Sequence, residues 1–213
     1  MCASPSGAAS VCPACARDLP RPGAASCPRC AQPSPGGLVC GPCLKRPPAF
    51  DATLAAFVYR FPLDRLIPRL KYHGQLAIAP LLGESLAIRV AGAARPDRVV
   101  PMPLHPARLR ERGFNHAAEI ARALCRSTGL ELDTASCARV RDTPPQQGLA
   151  YTARRGNVRG AFACAPLTGL RIALVDDVMT TGTSLDELAA AAKRAGAAEV
   201  VCWVAARTPP PFA

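Results

Sequence analysis

The run Ile172-Ala173-Leu174-Val175-Asp176-Asp177-Val178-Met179-Thr180-Thr181-Gly182-Thr183-Ser184 constrains the fold more than any other stretch. Ile172 to Val175 are apolar without alternation, the pattern of a short strand covered on both faces in a parallel sheet. Two carboxylates end that strand and a small, hydroxyl-rich turn follows. Leu185, Leu188, Ala189 and Ala192 then recur at helical spacing, so an amphipathic helix starts at once. Thr183 and Asp186 are placed for a capping box at its start. Strand, acidic end, turn and helix make the repeating unit of open α/β sheets, which hold ligands beyond the C-terminal ends of their strands.

The chemistry of this unit suits a phosphorylated sugar. Backbone N–H groups at a helix start lack intrahelical partners and attract a phosphate. Gly182 allows close approach, and the hydroxyls of Thr180, Thr181, Thr183 and Ser184 add donors. Asp176 and Asp177 would repel that phosphate but accept hydrogen bonds from two vicinal hydroxyls, as a ribose supplies. A plainer reading stands beside this one: a capped crossover helix and a solvated Asp-Asp turn. The whole string resembles the phosphoribosyl pyrophosphate (PRPP) motif of type I phosphoribosyltransferases: a hydrophobic strand, two acids, two hydrophobics, then Thr-Thr-Gly-x-Ser/Thr.

The N-terminal segment is of another kind. Seven of the 11 cysteines are Cys2, Cys12, Cys15, Cys27, Cys30, Cys40 and Cys43. Six of these form Cys-x-x-Cys pairs in a stretch too poor in large apolar residues to make a core, so a metal is needed to fold it. Cys27/Cys30 and Cys40/Cys43 are spaced for a tetrahedral zinc site of four thiolates. Cys12 and Cys15 are then left over, compete with one of those pairs, or recruit Cys2. The scattered Cys125, Cys137, Cys164 and Cys202 read as small buried hydrophobes, and disulfides are not expected in the cytoplasm.

The cytoplasm is expected because no apolar run approaches the ~20 residues that span a bilayer, and the N-terminus lacks the pattern of a signal peptide. Hydrophobic content of 49% allows a sizeable core, and its richness in Ala implies closely packed helices. The formal charge is +11, from 26 basic and 15 acidic residues, and only Lys45, Lys71 and Lys193 of the bases are lysine. Such a balance reflects codon bias toward Arg, or a surface for polyanions such as PRPP, pyrophosphate or nucleic acid.

In chain order, residues 1–11 are expected to be disordered and 45–50 to be a stiff linker. A strand is expected over 52–60. A helix starts at Pro62 and ends with Gly74 as C-cap, and another covers 76–91. Val99 to Leu104 reads as a strand entering a turn stiffened by Pro101 and Pro103. Arg108, Arg110 and Arg112 follow, alternating before a helix capped by Asn115, as a second place for an anion or as a solvated basic loop. Residues 139–162, Arg-rich and broken by proline, are expected to be a functional loop. Ala198 to Ala205 gives a last strand, and the tail from Arg207 is expected to fray. His73, His105 and His116 are isolated in sequence and read as structural or surface groups.

These blocks together resemble the ComF family of competence proteins. The matching residues are Cys27 to Cys43; Leu70-Lys71-Tyr72 with Gly74; Val100-Pro101-Met102-Pro103-Leu104; Arg112-Gly113-Phe114-Asn115; Arg141-Asp142-Thr143 with Gln146 or Gln147; Arg155 with Asn157-Val158; and 174–184. One departure is clear: Cys12/Cys15 looks like the second pair of a longer form whose first pair is missing. The resemblance implies a zinc ribbon ahead of a type I phosphoribosyltransferase domain, a site for PRPP or a nucleotide phosphate, and a link to uptake of single-stranded DNA and to other DNA-uptake proteins.

The expected architecture is therefore an α/β parallel sheet flanked by helices, over 49–208, after a zinc-ribbon segment over 1–48, with a tail over 209–213. Asp176 and Asp177 are expected to hold the ribose, with residues 180–184 on the 5′-phosphate. Pro101, Met102 and Pro103, with Arg112 and Arg155, are expected to hold pyrophosphate. Magnesium would bridge the diphosphate, and zinc would sit on Cys27, Cys30, Cys40 and Cys43. Two readings of function remain: transfer of phosphoribosyl to an unassigned acceptor, or binding of PRPP and single-stranded DNA without turnover.

Overall fold

The computed structural model describes residues 11–142 and 158–210. Four strands form one parallel sheet in the order β1-β6-β5-β2: β1 (Ala52–Val58), β2 (Arg98–Pro101), β5 (Arg171–Met179) and β6 (Glu199–Arg207). β3 (Cys137–Arg139) and β4 (Phe162–Cys164) make a separate antiparallel pair. The parallel sheet flanked by helices is the architecture expected from the 172–184 run.

Side chains alternate along the central strands and so feed two cores. Ala173 and Val175 of β5, with Trp203 and Ala205 of β6, face α3 (Leu63–His73), α4 (Ile78–Val90) and α6 (His116–Thr128). Ile172, Leu174, Cys202 and Val204 face the opposite way, against Leu185, Leu188 and Ala192 of α7 (Thr183–Arg194). The close helix packing expected from Ala content is seen between α4 and α6. A Cβ at Gly83 would stand 2.6 Å from both Ala123 Cβ and Ile120 O, so only glycine fits there.

Several local expectations hold. α3 follows Pro62 and ends on Gly74 in the left-handed region. Asn115 caps α6, its Oδ1 accepting from Ala117 N at 3.0 Å and Ala118 N at 3.3 Å, while its Nδ2 donates to Met102 O at 3.0 Å. One amide thus starts the helix and fixes the end of β2.

Others are corrected. Arg108, Arg110 and Arg112 lie on a helix, α5 (Pro106–Arg112), which His105 caps, rather than in a basic loop. β5 does not stop at Val175 but runs through both acids to Met179, because β6 continues to pair with it as far as Arg207. No Thr183–Asp186 capping box forms. α7 starts on Gly182 without a side-chain cap, and Asp186 instead accepts from Ala49 N at 2.7 Å. Cys137 and Cys164 are not separate buried hydrophobes. The β3–β4 register sets them opposite each other with Cα atoms 4.2 Å apart, and they form a disulfide. Arg207 is not the start of a frayed tail but a buried residue of β6. Most of the expected 139–162 loop, with Arg155, lies outside the described residues, as do residues 1–10 and the last of the tail.

Among the described residues no helix is long and apolar enough to cross a membrane.

Candidate functional site

The sheet opens where β2 ends. Pro101 pairs with Val175, Met102 N donates to Val175 O at 2.8 Å, and beyond that point β5 has β6 alone beside it. Asp176 onward therefore borders a cleft of about 1050 Å³, closed on its other sides by α3, α5 and the start of α7. This is the place that an open parallel sheet reserves for ligands.

Of the residues expected in the site, Asp176, Asp177, Thr180, Thr181, Gly182, Thr183, Ser184, Met102 and Arg112 line the cleft. Pro101 and Pro103 do not line it; Pro101 is buried as the last residue of β2. The loop before α7 is shaped by Gly182, whose φ of 81° is left-handed, and by a 2.8 Å hydrogen bond between the hydroxyls of Thr181 and Thr183. The first turn of α7 lies at the cleft, without a side-chain cap from Gly182 and with Thr183 N donating to Thr181 Oγ1 at 3.4 Å.

The two acids are not equivalent, because consecutive residues of a strand point to opposite faces. Asp177 shares a face with Ala173 and Val175 and is 2% exposed. Lys71 Nζ meets its Oδ2 at 2.9 Å and its Oδ1 at 3.3 Å, and His116 Nε2 lies 3.4 Å from Oδ2. Burial alone would raise the Asp177 pKa, but the Lys71 ammonium and then His116 hold it well below the usual carboxylate range. Asp176 lies on the α7 side, keeps some solvent contact, and accepts from Asp177 N at 2.8 Å. Burial, followed by the charge of Asp177, pushes its pKa up to about 8. Both carboxylates thus line the cleft, but Asp177 is also engaged within the protein by Lys71 and His116.

His116 corrects its reading as an isolated group, since it is 4% exposed and sits against Asp177. Arg112 Nη1 is 2.8 Å from His116 Nδ1, and its guanidinium lies over the Tyr72 ring at 5.4 Å. Lys71, His116 and Arg139, all lining the cleft, carried no assigned role. A signal existed for Lys71: it is one of 3 lysines in a chain that otherwise uses arginine. Only the fold reveals His116, because its partner, Asp177, is distant in sequence and is brought to it when α6 packs on β5.

Donor chemistry limits where a cation fits. His116, Asp176 and Asp177 bring ligand atoms within 4.8 Å of one another. Yet both nitrogens of His116 are engaged, by Arg112 and Asp177, and Asp177 is held by Lys71. Asp176 is the remaining hard oxygen donor and fits a cation that keeps most of its own waters.

The four expected thiols converge. Ligand atoms of Cys27, Cys30, Cys40 and Cys43 lie within 4.8 Å of one another, with Cys30 Sγ and Cys40 Sγ 3.6 Å apart. A tetrahedral zinc with Zn–S bonds of about 2.3 Å sets its sulfurs about 3.8 Å apart, so the cluster fits that ion. Cys40 N donates to Cys27 Sγ at 3.3 Å. Burial would raise the Cys27 pKa, but this and neighbouring backbone donors bring it to about 7. Among the described residues, Cys12 and Cys15 join no group of three or more ligand atoms; Cys12 caps the short helix α1 (Pro13–Arg17), accepting from Cys15 N.

A parallel sheet whose Asp-Asp strand feeds an uncapped helix, with a four-cysteine ribbon in front, defines a phosphoribosyltransferase-like α/β protein. The chain is 35% identical over 206 residues to the DNA utilization protein YhgH of Salmonella typhimurium, covering 93% of this chain and 90% of the relative. It is 34% identical to YhgH of Escherichia coli K12 over the same shares. It is 34% identical over 178 residues to competence protein F of Haemophilus influenzae, covering 79% of this chain and 78% of that one. The chain belongs to the ComF family, with these proteins. No family model matches it. Among solved structures it is similar to glutamine PRPP amidotransferase from Bacillus subtilis, with a TM-score of 0.42, 21% identity and coverage of 60% of this chain and 26% of that one. It is also similar to UMP synthase of Leishmania donovani, with a TM-score of 0.38, 17% identity and coverage of 67% and 29%. The chain spans under a third of either, and likenesses this slight carry no argument about activity.

Proposed function

We propose that the cleft binds PRPP, or a nucleoside 5′-phosphate, with magnesium, in a protein that serves DNA utilization and competence, the roles in its relatives' names. The observation that carries this reading is the partly exposed carboxylate of Asp176 in the cleft-lining part of β5, ahead of the 180–184 loop that opens α7. The first turn of α7, with Thr180, Thr181, Gly182, Thr183 and Ser184, would receive the 5′-phosphate. Asp176 would accept from a ribose hydroxyl. Asp177 would set the local charge and hold Lys71 at the cleft wall. Met102 and Arg112, with Arg155 from outside the described residues, would face the pyrophosphate.

In transfer, the bond from ribose C1 to pyrophosphate breaks and a bond from C1 to the acceptor forms. Positive charge gathers on the ribose ring and negative charge on the leaving oxygen, so cations at the pyrophosphate end stabilise the transition state more than the ground state. Magnesium, when bound, neutralises the diphosphate. Zinc would fill the four-thiolate site, where it organises a segment with little core of its own. The acceptor is not assigned.

Calorimetric titration of the full chain with PRPP and magnesium tests the reading. Binding measured above pH 8, where the Asp176 carboxylate is ionised, and weakened at least tenfold by Asp176→Asn supports it, since a charge-assisted acceptor is then lost. No binding by the wild-type chain overturns it. Release of pyrophosphate with a panel of amine and base acceptors then separates a transferase from a binding protein.

A further inference from the structure

The ribbon and the phosphate loop meet on one side chain. Arg207, the last residue of β6, is 7% exposed. Its Nε donates to Cys30 O at 2.8 Å. Its Nη1 donates to Met179 O at 2.7 Å, to Thr180 O, and to Thr208 O at 3.2 Å. Cys30 belongs to the four-thiol cluster, while Met179 and Thr180 lead into the hydroxyl loop. One planar guanidinium thus grips both by their backbone carbonyls.

The charge on Arg207 is compensated in an unusual way. Among the described residues no carboxylate pairs with it. A buried cation without an opposing charge is costly, and a metal held on the four cysteines as thiolates would supply that charge. Other contacts tie the same regions. Gln32 Nε2, from the ribbon, donates to Thr208 O at 3.0 Å. Ala49 N, from the linker, donates to Asp186 in the first turn of α7. Phe50 is 3% exposed and lies 3.9 Å from where a Cβ on Gly182 would stand.

We propose, building on the sugar-phosphate reading of the cleft, that Arg207 is a positioning residue that couples the metal state of the ribbon to the affinity of the 180–184 loop. A divalent ion on four thiolates leaves about two net negative charges, fixed beside Arg207. Those charges and the Cys30 carbonyl hold the guanidinium in place, and the guanidinium holds the Met179 and Thr180 carbonyls that aim the loop. Emptying the ribbon removes the counter-charge and loosens the Cys30 knuckle, so the loop loses its anchor. Linkage is reciprocal: a ligand on the loop must tighten the ribbon's hold on the metal by the same factor, and the coupling through Arg207 places that gain in slower loss of the metal.

The test measures transfer of zinc from the zinc-loaded full chain to a coloured chelator, with and without saturating PRPP and magnesium. Calorimetry with the same probe runs in parallel. In the wild type, PRPP should slow zinc transfer about tenfold, within the usual range of couplings between sites. Arg207→Lys keeps the charge but loses the fork that spans both carbonyl groups. It should still load zinc, bind PRPP about tenfold more weakly, and show less than a twofold effect of PRPP on zinc transfer. Arg207→Met should behave alike; if it does not fold, the lysine variant decides. A purely structural role would speed zinc transfer equally with and without PRPP, leaving the wild-type ratio intact, and that result overturns the coupling. Wild type that binds PRPP without any slowing of zinc transfer also overturns it, while the cleft reading survives. Absence of PRPP binding by zinc-loaded wild type removes both.

Discussion

Arg112 Nη1 lies 2.8 Å from His116 Nδ1, and a guanidinium can only donate. Nδ1 must therefore accept, which leaves the ring proton on Nε2, the nitrogen facing Asp177 Oδ2. A second proton on the ring would meet Arg112 head on. Burial lowers the His116 pKa, Asp177 opposes that, and Lys71 and Arg112 lower it further. Neutral His116 is thus one donor in a chain that runs from Arg112 to Asp177 and on to Lys71.

The first prediction concerns that tautomer. Nitrogen NMR of labelled protein should show His116 with its proton on Nε2 throughout the neutral range. Arg112→Met removes a charge that disfavours the imidazolium, so the His116 pKa should rise. Observation of the proton on Nδ1 in the wild type would sink the assignment.

The second prediction separates the two acids. Asp177 has a depressed pKa, so its stabilising contribution is present above the unfolded carboxylate value of about 3.9 and is lost as pH falls through its folded value. Asp176 has a raised pKa, so its contribution is complete below about 3.9 and is lost as pH rises toward 8. Asp177→Asn should cost on the order of 2 kcal/mol at neutral pH, because the charged partner of Lys71 is gone. Asp176→Asn should gain on the wild type in stability as pH rises from the acid range toward 8, while losing affinity for PRPP with magnesium. Urea melts across that range check both, and equal behaviour of the two variants would refute the asymmetry.

How much of this was legible beforehand differs by level. The sheet, the helices over 63–90 and the Asn115 cap follow from apolar period and capping chemistry, which are local. The convergence of Cys27, Cys30, Cys40 and Cys43 follows from spacing alone. What the sequence hides is long-range. Lys71 and Asp177 are 106 residues apart, and Arg207 and Cys30 are 177 apart. Arg207 looked like part of a proline-rich tail because its burial depends on the ribbon folding over it. Thr183 and Asp186 have capping-box spacing, but a closer competitor, Ala49 N, takes the carboxylate. The Cys137–Cys164 pairing depends on the register of two short strands that residue pattern does not announce.

The third prediction concerns the ribbon metal. Protein purified without added metal should hold about one zinc per chain on Cys27, Cys30, Cys40 and Cys43, and should lose its ribbon packing when the metal is removed. Leu19, 3% exposed in the same core as Phe57, would then become accessible. Elemental analysis and hydrogen exchange report the two effects separately. Zinc retained after all four cysteines are changed to Ser would place the ion elsewhere, with Cys12, Cys15 and Cys2 the next candidates.

The last prediction concerns single-stranded DNA. The segment from Arg95 to Arg159 carries twelve Arg against Asp97, Glu111, Glu119, Glu131, Asp133 and Asp142. The fold spends several acids internally: Asp133 pairs with Arg98 at 3.1 Å, Glu119 with Arg122 at 2.5 Å, and Asp142 with Arg108 at 3.6 Å. Arginine still exceeds acid in the segment, and more of it is present than one diphosphate can use. Aromatic content is 5%, which leaves few surfaces on which bases could stack, so affinity for a strand should be chiefly electrostatic. Binding of a labelled single-stranded oligonucleotide should fall steeply with salt, with a logarithmic slope of about −0.7 for each phosphate contacted. Changing Arg154, Arg155 and Arg159 to Ala should make that slope shallower. Arg159 is exposed in the structure, and Arg154 and Arg155 lie outside the described residues. No binding at low salt would remove the DNA reading. An unchanged slope in the variant would move the contact surface away from this segment and onto the ribbon.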